Sequence, residues 1–104
     1  MKKSEIFQKV LSVVSEHTET SQELILSTSR KTETVDARSI AIYYWKRYGL
    51  QTDYLMQKLN RNCHNSIQYL YNQYYSRQKT NRQLRHLCQT IGQELDNLLP
   101  NVCQ

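Results

Sequence analysis

The stretch QTDYLMQKLNRNCHNSIQYLYNQYYS, residues 51–76, decides how the fold is read. Its opening has helical spacing, with Thr52 or Gln51 near the start and Leu55 and Leu59 turned inward. Asn60-Arg61-Asn62 then supplies a tight turn, because asparagine tolerates left-handed backbone. From about Cys63 to Ser76 the spacing is helical again. Ile67, Leu70, Tyr71 and Tyr74 make a core face, and Asn65, Tyr69, Asn72 and Ser76 make a polar one. A short helix, a brief turn and a longer helix opening on polar residues is the order of a helix-turn-helix. In such modules the second helix presents its first residues to base edges in the major groove. Asn62, His64, Asn65 and Ser66 suit that task, since they hydrogen-bond to bases without bringing a negative charge to DNA. The same order also arises in bundles that bind no nucleic acid.

Outward from this stretch the helical period recurs, and no convincing strand or repeat interrupts it. A first helix is expected from about Glu5 to His17, with Ser4 as its N-cap and Ile6, Val10, Val13 and Val14 as its buried stripe. Thr20-x-x-Glu23 reads as a capping box opening a short helix that carries Leu24 and Leu26. STSRKTET, residues 27–34, breaks the period as a basic loop around Arg30 and Lys31. Thr34 is the expected cap of a third helix, with Asp36 near its positive end. Ala37, Ala41, Tyr44 and Tyr48 form one face of that helix, supported by Val35 and Ile40, and Gly49 ends it. Thr80-x-x-Gln83 caps a last helix with the stripe Leu84, Leu87, Cys88, Ile91, Leu95 and Leu98, closed by Pro100, unless residues 77–82 continue one bent helix. The fold class is therefore all-α: one domain, a small bundle of about five or six helices containing a helix-turn-helix. Two glycines and one proline in 104 residues agree with few tight turns.

Charge is unevenly spread. Residues 30–85 hold eleven Lys or Arg against Glu33, Asp36 and Asp53, while both ends are slightly acidic. A basic centre between acidic ends suits a polyanionic partner better than uniform basicity would. No run of apolar residues approaches a membrane span, and the start lacks a signal peptide's apolar stretch, so a soluble, cytoplasmic protein is expected. Cys63, Cys88 and Cys103 are odd in number and lack chelating spacing, and the Cys63-His64 pair alone does not make a metal site. No nucleophile with an orienting acid is identifiable around His64, so no catalytic residue, cofactor or small-molecule substrate is expected. The eight tyrosines all fall between 43 and 75. Tyr44, Tyr48, Tyr71 and Tyr74 read as core with hydroxyls at the rim, and Tyr69 as surface. The leucine stripe of the last helix packs on its own domain or, on a second reading, forms a dimer seam.

ILSTSRKTETVDARSIAIYYWKRYG, residues 25–49, followed by LNRNCHNSI, residues 59–67, resembles the C-terminal DNA-binding domain of DnaA, the bacterial chromosomal replication initiator. That family shows L-x-S-x-S-R-K-R-x-x-V-x-A-R-x-I-A-M-Y, then a short helix, then F-G-G-R-D-H-T-T-V. The resemblance covers roughly residues 6–90. It implies a helical domain that binds a short asymmetric site in double-stranded DNA. By motif position it implies Arg30 in the minor groove, with Lys31 beside it, Arg38 on DNA from the third helix, and Lys46 on the backbone. His64, Asn65 and Ser66 would head the recognition helix, and Arg61 stands next to the position of the family's arginine; apart from the resemblance, Asn62 and the polar-face Tyr69 are expected to join them in reading bases. The chain departs from the pattern where Asn60-Arg61-Asn62-Cys63 replaces Gly-Gly-Arg-Asp and where Thr32 replaces a basic residue. A thiol is a poor substitute for a carboxylate acceptor, so binding is expected but the same base sequence is not. No G-x-x-x-x-G-K-[ST] loop is present, so the chain is expected to act as a detached DNA-binding module in replication or in a mobile element. The rival expectation is an all-α interaction module whose basic face meets an acidic protein.

Overall fold

A computed structural model describes residues 2–27, 31–59 and 64–99, the side chains of residues 64–66 and 75 excepted. Six helices and no strand occur among the described residues: α1 Lys3–Thr18, α2 Gln22–Leu26, α3 Thr32–Arg47, α4 Thr52–Lys58, α5 His64–Thr80 and α6 Arg82–Leu98. The all-α bundle read from the sequence is the fold observed.

The expected helices are present, while their ends follow hydrogen bonds that spacing alone does not reveal. α1 begins two residues early on Lys2, which makes no side-chain cap, so Ser4 lies inside the helix. It leaves through Glu19 in left-handed backbone, and the Ser15 hydroxyl donates to Thr20 O at 2.6 Å. That exit commits Thr20, which is buried, so Ser21 becomes the cap of α2 and accepts from Leu24 N. In α2 the core residue is Ile25, with Leu24 largely exposed. α3 starts on Lys31 rather than at Thr34, which is buried. Gly49 ends the α3 segment at φ +96°, as its position suggested. Between α5 and α6 only Asn81 leaves the helical path. Its own side chain, not that of Thr80, accepts from Leu84 N at 3.0 Å.

α3 is the central helix. The expected face of Ala37, Ala41, Tyr44 and Tyr48 is buried, and so are Ile40, Ile42 and Trp45. Apolar residues around most of a helix mean burial on most sides, and α3 packs against α1, α2 and α5. Trp45 stacks on Phe7 of α1 with centroids 4.3 Å apart, and its Nε1 donates to Phe7 O at 3.1 Å. α5 runs antiparallel to α3, since Asp36 pairs with Arg77, Tyr43 stacks on Tyr74 and Lys46 meets Gln68. Burial raises the Asp36 carboxyl above its ordinary range, outweighing the Arg77 guanidinium that draws it down. Leu84, Cys88, Ile91 and Leu95 of α6 are buried within the one chain, while Leu98 is 43% exposed and Leu99 takes the core place in its stead.

The Tyr44 hydroxyl lies inside the bundle rather than at its rim. It donates to Cys88 O at 2.7 Å. Burial pushes the phenol well above its usual range and the Cys88 thiol up to about 11. The approach requires Gly92, because a Cβ there would meet Tyr44 Oη at 2.6 Å. Gly92→Ala therefore lowers stability by about 1–2 kcal/mol despite alanine's better helix propensity. In a Tyr44→Phe background the oxygen is gone, and the same substitution becomes neutral or stabilising. Equal shifts of Tm in both backgrounds would show that this contact does not limit position 92.

Candidate nucleic-acid interface

The last turn of α3 and the first half of α5 share a polar surface. Tyr48 and Leu50 bury the end of α3, which leaves Lys46 half-buried and facing α5. Its ammonium donates to Gln68 Oε1 at 3.2 Å and lies 4.9 Å from the centre of the Tyr71 ring. A cation over an aromatic face is attracted by the ring quadrupole, so Lys46 is held in place rather than free to wander. Gln68 Nε2 in turn donates to Asn72 Oδ1 at 3.1 Å. The direction of this chain is set at its start, because an ammonium only donates. The Asn72 amide nitrogen is thereby left as the group with protons to offer outward. Lys46, Gln68 and Tyr71 also line an open groove of about 600 Å³ with Gly49, Gln51 and Thr52.

Tyr69 stands on the exposed side of α5 at 64% exposure, and Asn72 and Ser76 are exposed with it. α5 carries no carboxylate along its 17 residues. Lys31 is exposed at the start of α3. Fifteen residues separate it from Lys46, which is about 22 Å along a helix. The anchors thus fall at opposite ends of α3. Lys46 stands beside the front of α5.

Arg38 is the correction. The sequence resemblance set it on DNA, yet it is 1% exposed, with Nε donating to Ile25 O at 2.8 Å and Nη2 to Leu24 O at 3.2 Å. Both carbonyls lie in the last turn of α2, and Leu24 O accepts as well from Ser27 N at 3.1 Å and from the Ser27 hydroxyl at 2.6 Å. Arg38 is a clamp between α2 and α3, and its guanidinium is turned away from solvent. Arg30, Arg61 and Asn62 lie outside the described residues, as do Cys63 and the side chains of His64, Asn65 and Ser66.

Gln68 is the residue that sequence reading missed. Asn72 was legible as exposed through its spacing from Tyr69 and Ser76, but the bond that orients it comes from Lys46 on another helix. Among the described residues no three His, Cys, Asp or Glu side chains stand where they could hold a metal ion, and no helix is long and apolar enough to cross a membrane. No family model matches the chain, and no curated protein matches it in sequence.

Proposed function

We propose that the chain binds double-stranded DNA without catalysing a reaction, with α4 and α5 as a helix-turn-helix and α5 as the element that meets the bases. The observation that carries this reading is the exposed side of α5. It offers uncharged hydrogen-bonding groups at Gln68, Tyr69, Asn72 and Ser76, no carboxylate, and a fixed cation at Lys46. Such a surface can approach phosphates without repulsion and exchange hydrogen bonds with base edges. The resemblance to the DnaA C-terminal domain, the basic pair Arg30-Lys31 in the sequence, and the run of Asn62, His64, Asn65 and Ser66 in the sequence support the same reading. A replication-related or mobile-element regulator is the setting that fits it. Lys31 and Lys46 serve as phosphate contacts, and Arg38 serves by holding α2 to α3.

Selection of bound duplexes from a random pool, at low and at moderate salt, tests the proposal. Enrichment of one short motif is the expected result. Lys46→Gln is expected to weaken binding on every duplex and to reduce the slope of log K against log salt by about 1. No retention of duplex at either salt would overturn the reading. Capture of an acidic polypeptide in its place would assign the same basic surface to a protein partner.

A further inference from the structure

The corner where α5 meets α6 carries Lys79, Arg82 and Arg85, all exposed. None of the three takes part in a salt bridge among the described residues, whereas Arg77, one turn earlier, is consumed by Asp36. Arg85 is not a loose surface side chain. Its Nε donates to Gln78 O at 3.1 Å and its Nη2 to Lys79 O at 3.0 Å, so the guanidinium is held over the end of α5. Two donors point at those carbonyls, and the guanidinium has five N–H groups in all. Arg82 and Arg85 stand three residues apart on α6 and share a face.

The corner also continues the candidate reading surface. Gln68, Asn72, Ser76 and Lys79 are spaced four, four and three apart, which keeps them on one stripe of α5. From Asn72 to Lys79 the rise is about 10 Å. A major groove is about 12 Å wide. A duplex that receives the Gln68–Asn72 segment in its groove therefore has a sugar-phosphate ridge within reach of the corner. We infer that Lys79, Arg82 and Arg85 form a second phosphate contact for duplex DNA, at the opposite end of α5 from Lys46. This rests on the proposed reading of α5 and adds a site to it. The interface then runs the length of the recognition helix, with neutral reading groups between two cationic ends.

The test uses the full chain and a fluorescently labelled random-sequence duplex, titrated at several salt concentrations. One variant combines Lys79→Gln, Arg82→Gln and Arg85→Gln. Its control combines Lys2→Gln, Lys3→Gln and Lys9→Gln, at the N-cap of α1 and on it, which removes the same charge elsewhere. The corner variant is expected to lower the slope of log K against log salt by about 2–3, close to 0.9 for each lost phosphate contact, and the α1 variant to leave it nearly unchanged. Because Arg85 also holds the end of α5, the double variant Lys79→Gln with Arg82→Gln is measured beside it and is expected to lose about 2. Equal slopes for the corner and α1 variants would overturn the inference, since net charge alone would then account for the effect. An unchanged slope in the corner variants would overturn it too. Failure of the unaltered chain to bind any duplex would sink the reading of α5 itself, and that result is seen before any variant is made.

Discussion

Arg38→Ala is expected to lower the stability of this domain by about 3 kcal/mol, because hydrogen bonds from a charged donor contribute roughly 1.5–3 kcal/mol each and the buried stem leaves a cavity. For a chain of this length that is a fall in Tm on the order of 15 °C. The cause is specific. Arg38 donates to Ile25 O and, alongside Ser27, to Leu24 O at the end of a five-residue helix, which is too short to be stable without tertiary support. Removing the guanidinium leaves those carbonyls without that donor and takes away a bridge between α2 and α3. Arg38→Lys restores less than half of the loss, since one ammonium does not reproduce the planar fork. Thermal unfolding followed by circular dichroism measures both. The DNA arm is equally informative. The folded fraction of Arg38→Ala is expected to keep the salt slope of the unaltered chain, because a buried guanidinium neutralises no phosphate. A slope reduced by about 0.9 with Tm unchanged would show that Arg38 turns outward to meet DNA.

Trp45→Ala is expected to cost about 3–5 kcal/mol, as large aromatic-to-alanine changes in a packed interior do. Trp45 is fully buried, stacks on Phe7 and donates to its carbonyl, and Phe7 makes an edge contact with Tyr54 of α4. Lys58 lies within 6 Å of the centres of both the Phe7 and the Tyr54 rings. Trp45 therefore ties α3 to α1, and Phe7 carries the contact on to α4. Loss of Trp45 loosens the helix that precedes α5. Trp45→Phe keeps a ring over Phe7 and forfeits the N–H, and is expected to recover most of the stability. A denaturant midpoint with an unchanged m-value would confirm a loss of stability without a change in compactness. A cost for Trp45→Ala below about 1 kcal/mol would show that the stack is not what holds these helices together.

The helices were legible because a helix that buries one side must repeat apolar residues every three or four positions. Ala37, Ala41, Tyr44 and Tyr48 show this, and so does Gly49, whose backbone freedom marks the stop. The caps were less legible. Thr20 and Ser21 are both competent hydroxyl caps, and the left-handed exit of α1 at Glu19 chooses between them. At the end of α6 the stripe passes Leu95 with leucines both three and four residues on, and either spacing is helical. Leu99 is the one the core takes. For the site, spacing revealed that Tyr69, Asn72 and Ser76 face outward. It did not reveal the chain from Lys46 through Gln68, because that depends on how α3 lies on α5. Arg38 misled for a related reason. A long amphipathic side chain reads the same in sequence whether its head reaches solvent or a carbonyl on a neighbouring helix.

The buried thiol of Cys88, pushed up to about 11, has a practical consequence for chemistry on this chain. At neutral pH only on the order of one molecule in ten thousand carries the thiolate there, and the thiolate is the form that peroxides and alkylating reagents attack. Cys88 is in effect silent to oxidation and to maleimides while the bundle stays folded. With Cys63 and Cys103 replaced, a cysteine introduced at Ser76 would take a fluorophore on the exposed side of α5 with little background. Late labelling of Cys88 would then time the opening of the core itself.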